Sequence, residues 1–267
     1  MDLLQAVIIA VVEGLTEYLP VSSTAHMIFT SSYFGIQEDD FVKLFQVSIQ
    51  FGAILAVVFL YWRKFFDFSK FNFYIKLAAA VIPALILGKL FDDKIDAVLG
   101  NPIPIAIVLI LGGIILLFVD NRFQNPTVVS EEEITIKKAV MIGFWQCLAM
   151  MPGTSRSAAS IIGGMQQGLT RATAAEFSFF LAVPTMLAVT VYSLFLKTYE
   201  VTQLKGYELL LQGDNIKFFL IGNVIAFIVA VLAIKLFIEV IKKYGFKPWG
   251  YYRIVAGIIL LLYFSLN

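Results

Sequence analysis

Apolar residues dominate this chain, and the places where they stop define its elements. Apolar runs over residues 42–61, 73–91, 102–119, 172–196, 216–238 and 250–266 each approach the roughly 20 residues that cross a bilayer, so they predict six spans. Pro83 and Pro184 predict kinks inside the second and fourth. The first run ends at Tyr61-Trp62-Arg63-Lys64, an aromatic and basic border typical of a membrane interface. Two further apolar stretches are short and interrupted. Residues 3–18 and 25–35 flank a polar turn at Pro20, and residues 139–151 and 156–168 flank a second turn at Pro152. Each predicts a re-entrant hairpin: two short helices meeting at a polar turn, with both ends on one side. Such backbone survives at membrane depth only inside protein or beside a water-filled cavity.

A hairpin followed by three spans occurs twice, over residues 1–120 and 139–267, with residues 121–138 as a polar linker. At an offset of 132, Pro20 aligns with Pro152, Ser22 with Thr154, Ser23 with Ser155, and Leu55-Ala56-Val57 with Leu187-Ala188-Val189. Three spans is an odd number, so the second unit enters from the opposite face, as in an inverted repeat. The expected fold is an all-α integral membrane protein with six transmembrane helices and two re-entrant helix-turn-helix hairpins.

Composition narrows the class. With 60% hydrophobic and 15% charged residues in 267, and a mean hydropathy of +0.86, the chain has more apolar surface than a soluble domain can bury. A net charge of +1 gives no case for nucleic acid, and one cysteine, Cys147, rules out an intrachain disulfide. The start Met1-Asp2-Leu3-Leu4 lacks a basic n-region, so no cleaved signal peptide is expected. Lys and Arg concentrate around Arg63-Lys64-Lys70, Arg122-Lys137-Lys138, Arg171 and Lys242-Lys243-Lys247, whereas Lys43, Lys94, Lys197 and Lys205 fall on the other side. The richer side is expected to be cytoplasmic. Both termini and the mouth of the first hairpin then face outside.

The chemistry is concentrated in the two turns. Glu13 and Glu17 share a helical face, and two like charges there call for a cation or a proton between them. Charge inside a membrane segment is costly and commonly functional; the plainer alternative places both at a helix end near the interface. Hard carboxylate oxygens suit Mg²⁺ or Ca²⁺. Ser22, Ser23 and Thr24 are helix-capping types. His26, the one histidine, lies within a turn of them, which makes it a candidate base or nucleophile. In Pro152-Gly153-Thr154-Ser155-Arg156-Ser157, glycine permits close backbone approach, hydroxyls donate, and the helix start favours an anion. Arg156 supplies a fork that fits phosphate, or pairs structurally with Glu13 or Glu17. Glu176 is explained as well by a pair with Arg171, and Gln46 and Gln50 by bridges between helices.

The stretches EGLTEYLPVSSTAHM and MPGTSRSAAS resemble the two signature regions of the undecaprenyl pyrophosphate phosphatase family, bacterial membrane enzymes linked to bacitracin resistance. The likeness extends over the length of the chain and the order of its spans. It implies removal of one phosphate from a C55 lipid carrier diphosphate at the bacterial plasma membrane, with dependence on Mg²⁺ or Ca²⁺. It also places the essential acidic pair at Glu13 and Glu17, catalysis at Ser23 and His26, and phosphate binding at Arg156. Ser22, Thr24, Gly153, Thr154 and Ser155 are then expected to complete the phosphate cradle. Ser23 is the expected nucleophile with His26 as its base; direct attack by water activated by His26 fits the sequence almost equally. The partners implied are the polyprenyl diphosphate and membrane lipid, and a homodimer is compatible. PAP2-type lipid phosphatases need two histidines in separate motifs, and this chain has one. The rival class is an inverted-repeat transporter or flippase for a phosphorylated lipid, which needs Arg156 and helix ends but no nucleophile–base pair.

Overall fold

The computed structural model describes residues 1–99 and 101–266, and the side chains of these except at residues 92–97 and 99; Lys94, counted above with the sparser basic side, lies outside them. The described chain is all helical: α1 Leu3–Thr16, α2 Ser23–Tyr33, α3 Asp40–Ser48, α4 Gln50–Leu60, α5 Trp62–Phe65, α6 Phe71–Leu99, α7 Pro102–Arg122, α8 Ile136–Cys147, α9 Arg156–Gln166, α10 Arg171–Phe195, α11 Gly206–Leu210, α12 Asn215–Tyr244 and α13 Lys247–Leu266. Six segments are long and apolar enough to cross a membrane: Asp40–Leu60, Phe71–Phe91, Pro102–Arg122, Arg171–Phe195, Asn215–Tyr244 and Lys247–Leu266. They match the six apolar runs. Two details differ. The first span is broken at Ile49 into α3 and α4, where the Gly52 N–H bonds Asn223 Oδ1 of α12 at 2.8 Å. The fifth continues six residues beyond its apolar run, because Phe237 and Ile241 remain buried while Glu239, Lys242 and Lys243 interrupt the run.

The two interrupted stretches form α1–α2 and α8–α9, helix–turn–helix units shorter than the spans around them. An Asp2–Gln5 capping box starts α1, and Thr135 caps α8. The two turns differ by one residue. Ser22 and Ser155, the residues before α2 and α9, both take left-handed φ angles of 69° and 75°. Helix starts therefore align Ser23 with Arg156, an offset of 133, whereas the prolines align at 132. The extra residue is in the Gly153-Thr154 part of the second turn.

Packing crosses between the halves. α1 packs on α12 and α8 on α6, while α7 packs on α13 and α4 on α10. Small residues make these approaches close. A Cβ at Gly14 would stand 2.8 Å from the Ala226 carbonyl, and one at Gly143 2.2 Å from that of Ala80. Between α7 and α13 the contact is reciprocal: a Cβ at Gly113 would stand 2.9 Å from the Gly250 carbonyl, and one at Gly250 2.9 Å from the Gly113 carbonyl. Phe177, Phe179, Phe180 and Phe237 fill the interior with Tyr18 edge-on to Phe179, and large apolar side chains such as Leu111, Leu220, Leu232 and Ile259 face outward.

Polar contacts define two ends. At one, Lys64 pairs with Glu131 at 2.5 Å, Lys70 with Glu132 at 2.7 Å and Arg171 with Asp120 at 2.6 Å. Arg171 is thus held by Asp120 rather than by Glu176. At the other end the Met1 amino group lies 4.0 Å from Asp39, and the Asp40 carboxylate accepts from the Thr202 N–H and hydroxyl.

The helix contacts predict a graded response to added methyl groups. Gly113→Ala, whose Cβ would also press on Arg253 and Ile254, is expected to lower the melting temperature of the detergent-solubilised protein. Gly88→Ala has 3.6 Å of ordinary clearance and is expected to be neutral or slightly stabilising, since alanine favours a helix by about 1 kcal/mol. Equal melting temperatures for the two variants would contradict this packing.

Candidate active site

Both turns converge on one carboxylate. α1 ends at Thr16, so Glu17 stands just beyond its last turn and is buried, as is Glu13 one turn earlier. Ser23, first residue of α2, donates its hydroxyl to Glu17 Oε2 at 2.5 Å. Arg156, first residue of α9, donates to Glu17 Oε1 from Nε at 3.2 Å and Nη2 at 3.1 Å. The two helix starts therefore face each other across Glu17, and their free N–H groups and partial positive charge favour an anion there. Arg156 also donates from Nη1 to the Ser178 carbonyl at 3.0 Å, its guanidinium lies 5.8 Å from the Tyr18 ring centroid, and the Ser178 hydroxyl is joined to that of Ser160 at 2.6 Å. Ser178 on α10 thus fixes the side of the guanidinium turned away from Glu17.

Glu13 differs from its neighbour. Both of its carboxylate oxygens are buried with no hydrogen-bond donor among the described residues, and the charged groups acting on it are Glu17 and Arg156. A bare buried carboxylate beside another carboxylate is costly, and a proton or a hard cation relieves it.

His26 makes its hydrogen bonds to groups other than Ser23. Its Nδ1 bonds the Ser22 carbonyl at 2.8 Å, so that nitrogen carries the proton. Its Nε2 meets the Tyr252 hydroxyl of α13 at 2.8 Å, with the two rings stacked 5.7 Å apart. In the neutral ring the Nε2 lone pair is aimed at Tyr252, and the hydrogen-bond acceptor of Ser23 is Glu17. In this structure the expected Ser23–His26 hydrogen bond is not formed: the start of α2 turns Ser23 back toward Glu17, while His26, one turn on, faces α13.

The remaining cradle residues divide. Ser22 makes no capping bond, and Thr24 is half-buried without a side-chain hydrogen bond among the described residues, so both hydroxyls are free for a ligand. Ser155 instead accepts from the Ala158 N–H and contacts the Ser157 hydroxyl, and the Thr154 N–H bonds the Met151 carbonyl. Gly153 has φ 92°, and a Cβ there would stand 2.6 Å from the Ile105 carbonyl, which accounts for glycine at this point.

Sequence reasoning missed the group that holds the two turns together. Arg253 on α13, 1% exposed, donates to the Gly153 carbonyl at 2.7 Å, the Thr154 carbonyl at 3.0 Å, the Pro20 carbonyl at 3.1 Å and the Leu109 carbonyl at 3.2 Å. Gly112 leaves room for it; a Cβ there would stand 2.1 Å from Arg253 Nη2. The sequence carried a signal, one arginine inside an otherwise apolar span, which by itself marks a functional position. Gln46 bridges as expected, donating to the Met27 carbonyl of α2 at 3.2 Å.

The chain is similar to known bacterial proteins over nearly its whole length. The chain is 56% identical over 263 residues to the undecaprenyl-diphosphatase of Flavobacterium johnsoniae, covering 98% of this chain and 96% of that protein. It is 48% identical over 279 residues to the undecaprenyl-diphosphatase of Porphyromonas gingivalis strain W83, again 98% and 96%. It is 44% identical over 268 residues to that of Wolinella succinogenes, over the full length of both. The family model described as bacitracin resistance protein BacA matches residues 6–259; with both turns, five whole spans and most of the sixth inside that match, the chain belongs to the BacA family.

Proposed function

We infer that this chain hydrolyses undecaprenyl diphosphate to undecaprenyl phosphate and inorganic phosphate at the bacterial plasma membrane. The observation that carries the reading is the meeting of Ser23 and Arg156 on Glu17. A hydroxyl, an acceptor for its proton and a guanidinium stand together at two helix starts, and this is the equipment of phosphoryl transfer. Arg156 and the N–H groups of α2 and α9 hold the terminal phosphate, with the Ser22 and Thr24 hydroxyls as further donors. Ser23 Oγ then bonds to the terminal phosphorus as the bond from that phosphorus to the bridging oxygen breaks, and undecaprenyl phosphate leaves. Glu17 takes the hydroxyl proton. Water attacks the phosphoserine in a second step and releases inorganic phosphate. His26, set by Ser22 and Tyr252, orients the start of α2. A transporter would use Arg156 and the helix starts but leaves the Ser23–Glu17 couple without a role.

Glu13 fits a hard divalent cation, because its two oxygens are buried without a donor and oxygen is the ligand such ions prefer. Mg²⁺ or Ca²⁺ would be held by Glu13, with Glu17 beside it and the diphosphate oxygens completing the shell. Bound there, it would offset the negative charge of the transferring group.

We further propose that α1–α2 and α8–α9 are re-entrant hairpins of an inverted repeat. The crossed packing supports this: the first helix of each unit lies on the second span of the other half, and the Gly113–Gly250 approach is reciprocal. The end that gathers Arg63, Lys64, Arg171, Lys242 and Lys243 is proposed as cytoplasmic. Both termini then face outside.

Purified protein in detergent is expected to release inorganic phosphate from undecaprenyl diphosphate, to stop in EDTA and to recover with Mg²⁺ or Ca²⁺. Glu17→Gln removes both the acceptor and half of the ion pair and is expected to lower the rate by about a hundredfold or more. Tyr252→Phe leaves the Glu17 cluster intact and frees His26, so a milder loss, about tenfold, is expected, mostly in kcat. Absence of phosphate release from folded protein would refute the assignment.

Orientation is tested separately. With Cys147 replaced by serine, a cysteine at Glu38 is expected to react with an impermeant maleimide in intact cells, and one at Gln124 only after the cells are opened. Labelling of position 124 from outside would reverse the topology.

A further inference from the structure

At the lysine-rich end, away from the turns, a cavity of about 690 Å³ opens between the end of α7, the start of α10 and the α12–α13 junction. Four cationic side chains line it: Arg171, Lys242, Lys243 and Lys247. One carboxylate, Asp120, faces them, and it is already committed. It pairs with Arg171 at 2.6 Å and accepts the Phe246 N–H at 2.8 Å, which clamps the Gly245 turn. Among the described residues none of the three lysines has a carboxylate partner, and all three are exposed. The pocket thus has a fixed floor and a net positive rim, in a volume that suits a small anionic group.

We propose that this cavity binds the phosphate-bearing headgroup of an anionic phospholipid. The position of the pocket favours a lipid over a free anion. It sits at the ends of four candidate spans, and its Tyr244 is exposed, as aromatic residues are at a membrane interface. One helical turn from the rim, the same helices expose Phe118 on α7 and Tyr251 on α13, a surface against which acyl chains can lie. Basic pockets between helix ends are recognised lipid-headgroup sites. Occupancy would tie the start of α13 to the α9–α10 connection, and α13 is the helix that carries Tyr252 and Arg253.

The test is native mass spectrometry of the full chain in detergent, titrated with phosphatidylglycerol, with phosphatidylcholine and inorganic phosphate as separate arms. Wild-type protein is expected to retain phosphatidylglycerol in preference to phosphatidylcholine. The triple variant Lys242→Gln, Lys243→Gln, Lys247→Gln is expected to lose roughly a hundredfold in affinity, about fivefold per lysine. Arg122→Gln, at the same end but outside the cavity lining, is expected to leave binding unchanged and so controls for diffuse charge. The variants touch neither turn, and phosphate release confirms that they are folded. Equal retention of the two lipids, an unaltered affinity in the triple variant, an equal loss in Arg122→Gln, or displacement of the lipid by equimolar inorganic phosphate would each overturn the proposal.

Discussion

The Arg253 guanidinium is the one group on which the geometry of both turns depends. It is a buried charge with no carboxylate partner among the described residues, and four carbonyl oxygens take its hydrogen bonds. Those oxygens belong to α7, the first turn and the second turn. Burying an unpaired cation is costly, and leaving any of these carbonyls unpaired costs about 1–3 kcal/mol each. Either the turns are brought together around Arg253 or both costs fall due at once. The Gly112-Gly113 pair of α7 makes the arrangement sterically possible, Gly112 by clearing the guanidinium and Gly113 by letting α13 approach.

With the turns fixed, the chemistry follows from where α2 and α9 begin. Each starts after a serine in the left-handed region, a conformation that a non-glycine residue holds only when its surroundings impose it. That conformation directs the first side chain of each helix, Ser23 and Arg156, onto Glu17. Arg156 is held from behind by Ser178, so the guanidinium is presented toward the carboxylate and toward any phosphate that displaces it. In the proposed mechanism this arrangement acts by preorganisation: the donors are aimed before the substrate arrives.

The spans were legible because the apolar runs have membrane length, and the turns because carboxylates, hydroxyls and an arginine interrupt otherwise apolar stretches. Local grammar failed where tertiary contact decides. Neither proline nor glycine stands at the break after Ser48; Asn223 of α12 takes the Gly52 N–H, a choice invisible from residues 40–60 alone. Proximity in sequence suggested that His26 serves Ser23, but its Nε2 meets Tyr252, 226 residues away. The same distance hid Tyr252. Arg253 was readable as a charge within an apolar span, yet its role required knowledge that Pro20 and Gly153 lie side by side.

The most direct test of the central claim, that Ser23 receives the phosphoryl group beside Glu17, is rapid quench of the enzyme with undecaprenyl diphosphate labelled in its terminal phosphate, followed by mass spectrometry of the peptide containing residues 13–26. The account predicts label on Ser23 in wild-type protein and none in Ser23→Ala, with activity nearly abolished in that variant. Label on His26, or a Ser23→Ala enzyme that keeps about a hundredth of its activity, would contradict it.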